Sequence, residues 1–200
     1  MIRLKKPLGI CLSFALVAVG LTCLYAQEAS SKKAVVIIAE DGFQDDEFLG
    51  PVEVFTERGI DVTVASTTLS EAKGMNGAKV KPDLLIKDIK VADYDAVVFI
   101  GGSGATQYLD DPIAHKIAQD AVAQGKIMGA ICIAPRILAN AGVLKGKTAT
   151  CYPTEGEKLK EGGVNYTAKP VEKDGKIITA DGPKSAKEFG EELSKALSSS

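Results

Sequence analysis

The chain has 200 residues, of which 46% are hydrophobic and 25% charged, with both signs interspersed and a formal charge of −2. That mixture supports one core-forming domain and excludes a disordered or fibrous chain. It also excludes an electrostatic nucleic-acid binder, because nothing concentrates lysine and arginine into a phosphate-binding stripe.

The first segment has its own character. Arg3, Lys5 and Lys6 precede an uncharged apolar stretch from Leu8 to Leu24, and Leu24-Tyr25-Ala26 then leads into polar Gln27-Glu28. The pattern predicts a secretory signal peptide over residues 1–26, cut after Ala26. A retained N-terminal anchor is the alternative, since the stretch approaches bilayer-spanning length. Either way the domain is expected outside the cytoplasm, periplasmic or secreted, touching membrane only through that segment. Cleavage leaves 21 basic against 26 acidic residues, and it removes Cys11 and Cys23. Cys132 and Cys151 remain; in an oxidising compartment two thiols either pair or are held apart by the fold, and the sequence leaves both open.

Ala34 to Ala39 is an unbroken apolar run, which predicts a parallel strand buried on both faces and ended by Glu40-Asp41-Gly42. Asp45, Asp46 and Glu47 open a helix with Phe48, Leu49, Val52 and Phe55 at helical spacing, Pro51 early in it and Gly59 closing it. Carboxylates there ordinarily complement the helix dipole. Ile60 to Ala65 is a second strand, and Asn76-Gly77 predicts a small hairpin before Pro82. Ala96 to Ile100 is the next buried strand, running into Gly101-Gly102-Ser103-Gly104. Without a P-loop lysine or a complete G-x-G-x-x-G, those glycines serve close backbone approach better than nucleotide binding. Pro112 to Ala123 reads as a helix with Ile113, Ile117, Ala121 and Val122 inward. His115, the only histidine, lies on it, so neither a Cys-His-Asp triad nor a histidine metal site is expected within one chain.

Lys126 to Ile131 reads as a strand and Pro135 onward as a helix with proline in its first turn, which puts Cys132 on the sharp turn between them. There the unpaired N–H groups and the dipole are expected to favour thiolate and to hold an oxyanion, the geometry of a nucleophile elbow. Gly142 caps that helix; Lys147 to Tyr152 is a further strand, and Thr154 with Glu157 a capping box for a short helix. Val171–Lys173 and Lys176–Thr179 flank Asp174-Gly175 as a hairpin with a type I′ turn. Ser185 with Glu188 is a second capping box, opening a last helix with Phe189, Leu193 and Leu197 on its apolar face. Strands alternating with helices predict an α/β sandwich on a mostly parallel sheet, whose ligands gather at the carboxyl ends of the strands. Glu47, Gly101-Gly102 and Cys132 all follow strands, so one site can hold all three.

Phe43-Gln44-Asp45-Asp46-Glu47 with Pro51, Ile100-Gly101-Gly102, Ala130-Ile131-Cys132, and Asp174-Gly175 with Ile178-Thr179 and Gly182-Pro183 together resemble the ThiJ/PfpI superfamily, which includes the parkinsonism-associated deglycase and the PfpI intracellular peptidases. The resemblance covers a domain over residues 33–198 and implies a flavodoxin-like α/β/α sandwich. It implies Cys132 as nucleophile, Glu47 as the carboxyl group that contacts it, and the backbone amides of Gly102 and Ile133 as an oxyanion pocket. Ile133 stands where PfpI-type peptidases carry histidine, which turns the expectation from proteolysis toward the deglycase branch. That branch has a histidine near the position of Cys151 or Tyr152; its absence here raises Cys151 as a resolving thiol for Cys132. The expected function is a Cys/Glu enzyme acting on small reactive carbonyls, of glyoxalase or deglycase type, requiring neither metal nor organic cofactor. A redox-sensing or chaperone-like protein with an oxidisable cysteine is the alternative, and a peptidase completed across an oligomer interface a third. A homodimer or larger homo-oligomer is implied by the resemblance.

Overall fold

The computed structural model describes residues 31–199. The signal-peptide and anchor readings fall on residues 1–26, outside the described residues. In chain order the elements are β1 (Lys33–Ile37), β2 (Asp41–Phe43), α1 (Asp45–Glu57), β3 (Asp61–Ser66), β4 (Ala72–Gly74), β5 (Lys79–Val80), β6 (Leu84–Leu85), β7 (Ala96–Phe99), α2 (Pro112–Ala123), β8 (Ile127–Ile131), α3 (Pro135–Asn140), β9 (Thr148–Ala149), α4 (Gly156–Glu161), β10 (Asn165–Tyr166), β11 (Val171–Asp174), β12 (Ile177–Ala180) and α5 (Ala186–Ser198).

The main sheet runs β11-β12-β8-β7-β1-β3-β6, parallel throughout except for β11. Its central strands are apolar on both faces because each side is covered, and the side chains alternate between two layers. Val36, Val98 and Ile178 pack with Phe48 and Phe55 of α1 and with Phe189, Leu193 and Leu197 of α5. Val35, Val97 and Met128 face the other way, onto Ile117 and Ala121 of α2 and Ile137 and Leu138 of α3. This is the doubly wound sandwich expected, and its strand order reverses at β1, where the loops after β1 and β7 part to opposite sides.

Several local expectations are corrected. Ile113 and Val122 of α2 are exposed, and the buried stripe is Ala114, Ile117, Ala118 and Ala121. Small alanines bring this helix close to the sheet and rotate the bulkier residues outward. Neither capping box forms. The Thr154 hydroxyl turns to Glu155 at 3.2 Å, Glu157 accepts from Lys160 at 2.8 Å, and the Ser185 hydroxyl donates to Asp181 at 2.6 Å, because a 3₁₀ turn precedes each helix and redirects the capping side chain. The turn between β11 and β12 consists of Gly175 and Lys176, and only Gly175 has positive φ (63°), the type II′ pattern rather than I′. The strand expected over Lys147–Tyr152 is reduced to Thr148–Ala149. The Asn76-Gly77 hairpin is present as β4 and β5, and β4 pairs with β2, a strand the sequence pattern did not suggest.

Candidate active site

Three acidic residues open α1 and each has a different task. Gln44, not an acid, caps the helix: its side-chain oxygen accepts the Glu47 N–H at 2.9 Å, while its own N–H donates to the Gly101 carbonyl at 3.1 Å. Asp45 is buried and accepts the N–H groups of Asn76 (2.8 Å) and Ala78 (2.7 Å), fastening the hairpin to the helix start. Asp46 is exposed. Glu47 turns inward and is completely buried, with neither carboxyl oxygen in a well-formed hydrogen bond. The Cys132 thiol and the Gly101 N–H lie beside it and favour its anion.

Cys132 follows β8 directly and has φ of 65°, a left-handed conformation that costs a non-glycine residue on the order of 1 kcal/mol. The surroundings impose it. Its N–H donates to the Ala180 carbonyl at the end of β12 (2.9 Å), and its carbonyl accepts the Tyr152 N–H (2.8 Å). With Pro135 as the first residue of α3, this is the expected elbow. The N–H groups of Gly102 and Ile133 lie close enough to the sulfur to favour its anion. Gly101 makes room for the pair: a Cβ there would lie 2.5 Å from Glu47 Oε2 and 2.6 Å from the Cys132 Cβ. Glu47, Cys132, Gly102 and Ile133 are therefore brought together, the grouping that the family resemblance implied.

The electrostatics differ from the expectation of a ready thiolate. Burial pushes the Glu47 carboxyl up to about 7, with the charges of Asp46 and Asp181 adding to the rise. Burial, then the negative charge of Glu47, push the Cys132 thiol up to about 12, opposed by the amides of Gly102 and Ile133. Desolvation under α1 and α5 outweighs the local dipole at the turn. The two groups titrate as one system, and the repulsion between them exists only when both are ionised. The pair therefore gives up its first proton near neutrality and resists losing the second. Above pH 7 it holds a single negative charge, carried mainly by Glu47 while Cys132 keeps its proton.

Cys151 is not brought to the sulfur of Cys132. It is fully buried in the α2–α4 layer, whereas Cys132 packs in the α1–α5 layer, and both are free thiols. Burial pushes Cys151 up to about 12, with Glu155 adding to the rise and Arg136 opposing it. His115 stands on α2 with Nε2 2.7 Å from the Leu109 carbonyl, so it serves that turn rather than the thiol. Sequence reasoning missed Gln44, Tyr152 and Asp181. Tyr152 and Asp181 line an open cavity of about 430 Å³ with Pro153, Gly182, Pro183 and Lys184. Asp181 follows β12, the neighbour of β8, so the strand-end rule that selected Cys132 could have selected it too.

Residues 32–196 match the model of the DJ-1/PfpI family. The chain is 32% identical over 149 residues to a protein from Pyrococcus abyssi named a deglycase, covering 74% of this chain and 90% of that one. It is 28% identical over 169 residues to a Caenorhabditis elegans protein named a glutathione-independent glyoxalase, covering 84% and 90% respectively. Among solved structures, a ThiJ/PfpI domain protein from Brachyspira murdochii superposes with a TM-score of 0.83 at 29% identity, over 85% of this chain and 98% of that one.

Proposed function

The chain belongs to the DJ-1/PfpI family, and from that premise we propose that it is a Cys132/Glu47-dependent enzyme acting on small reactive carbonyls, of the glyoxalase or deglycase type. One observation carries the reading: a completely buried carboxyl group, without a well-formed hydrogen bond and held protonated up to neutrality, stands against a nucleophile-elbow sulfur. A carboxyl with only a structural task would be hydrogen-bonded, because leaving it unsatisfied costs stability.

With a 2-oxoaldehyde the chemistry balances as follows. The Cys132 thiol passes its proton to the Glu47 carboxylate and adds as thiolate to the aldehyde carbon; a C–S bond forms and the carbonyl π pair moves to oxygen, held by the N–H groups of Gly102 and Ile133. Glu47 delivers its proton to that oxygen. Its carboxylate then takes the hydrogen from the former aldehyde carbon as a proton, the electron pair forming an enediolate with the neighbouring carbonyl. That proton is returned to the neighbouring carbon while the hydroxyl proton passes from the former aldehyde oxygen to the neighbouring oxygen, leaving a thioester. Water hydrolyses the thioester and restores the thiol. Methylglyoxal plus water gives lactate and a proton, with no redox partner consumed.

Proton NMR of methylglyoxal incubated with the purified protein tests this, beside Cys132→Ser and Glu47→Gln. The expected result is lactate from the wild type, reduced by at least about a hundredfold in each variant. Absence of lactate while Cys132 is still rapidly alkylated would reject the reading and leave a reactive thiol without this chemistry.

A further inference from the structure

The cavity beside the pair takes no part in the chemistry above. It adjoins the reacting groups: a Cβ at Gly182 would lie 3.9 Å from Glu47 Oε1 and 3.5 Å from the Tyr152 ring, and the Tyr152 N–H is bonded to the Cys132 carbonyl. Its two charged walls differ. Asp181 is half-buried, accepts the Ser185 hydroxyl at 2.6 Å, and its charge is felt at Glu47. Lys184 is exposed and makes no ion pair or hydrogen bond among the described residues. An anionic group entering inward is repelled by Asp181 and by ionised Glu47; the same group left outward meets the ammonium of Lys184. The gradient orients a molecule of opposite ends, aldehyde inward and anion outward.

We propose that the site takes aldehydes bearing a carboxylate remote from the reacting carbon, with Lys184 as the residue that recognises it; this rests on the carbonyl reading of Cys132 and Glu47. Binding is covalent and reversible. The thiolate forms a C–S bond, the carbonyl π pair goes to oxygen, the proton comes from Glu47, and nothing leaves.

The test is protection of Cys132 from iodoacetamide, comparing succinic semialdehyde with butanal, a neutral aldehyde of the same chain length, and methylglyoxal turnover is followed in parallel. In wild type the semialdehyde is expected to give half-protection at roughly threefold to fivefold lower concentration, the scale of one exposed ion pair. Lys184→Ala is expected to abolish the preference, Lys184→Arg to retain it and Lys184→Glu to reverse it; salt near 0.5 M should erode it in the wild type. Equal protection by both aldehydes in wild type, or a preference surviving in Lys184→Ala, overturns the proposal while leaving the carbonyl reading intact. Protection by neither aldehyde, together with no lactate, defeats the carbonyl reading and this proposal with it.

Discussion

Glu47 carries both a proposed role in the chemistry and an energetic cost. Its folded pKa of about 7 stands above the ordinary 4.5, so between those values the native state holds a proton that the unfolded chain has released. Its contribution to stability is therefore full below pH 4.5 and is lost as pH rises through 7. Glutamine cannot ionise and escapes that loss. Urea unfolding is expected to show the stability difference between Glu47→Gln and wild type shifting in favour of the variant by about 3 kcal/mol between pH 4.5 and pH 8. A pH-independent difference would mean that Glu47 is not buried as a neutral acid. In the proposed reaction the same titration governs turnover. The pair would react after losing one proton, so kcat/KM for methylglyoxal is expected to rise with pH through about 7 and level off above it; a flat profile from pH 5 to 9 would contradict the singly charged pair.

At the scale of elements, the start of α1 is positioned by its contacts with a loop and a hairpin. Asp45 holds the turn between β4 and β5 through two charge-assisted hydrogen bonds, and a Cβ at Gly74 would collide with its carboxylate. Replacing Asp45 by alanine leaves the Asn76 and Ala78 N–H groups without their acceptor and is expected to cost about 3 kcal/mol, measured by denaturant midpoint at constant m-value. The elements themselves were readable from residues. Unbroken apolar runs marked β1, β7 and β8, and the run ending at Cys132 before Pro135 marked the elbow. The division of labour among Asp45, Asp46 and Glu47 was not, because it depends on Gln44 taking the cap. The direction of the Cys132 shift was misread for a related reason: the dipole is a local property, whereas desolvation comes from helices far along the chain.

For the molecule as a whole, the sheet is a partition. The Cys132 carbonyl accepts the N–H of Tyr152, the residue after Cys151, yet the two cysteines pack in opposite layers, so a disulfide between them requires one side chain to leave its core. Non-reducing peptide mapping after mild peroxide is expected to recover Cys151 as a free thiol; a Cys132–Cys151 cross-link would show that the partition opens on the timescale of oxidation. The proposed signal peptide over residues 1–26 belongs to this scale as well, and it lies outside the described residues. Mass spectrometry of the processed protein is expected to find a mature chain beginning at Gln27, and retention of Met1 would favour the membrane-anchor alternative.

The stitching of the elbow also orders events in time. Cys132 is held by Tyr152 and by Ala180, and its partner Glu47 enters through Gln44 and Gly101, so the reactive pair is assembled from segments spread along the chain. Contacts of such separation form late, after the loops between them have closed. Until β12 docks beside β8, the emerging polypeptide carries an ordinary thiol and an ordinary carboxylate. Translation, and any passage through a membrane as an unfolded thread, is expected to precede the meeting of Cys132 and Glu47.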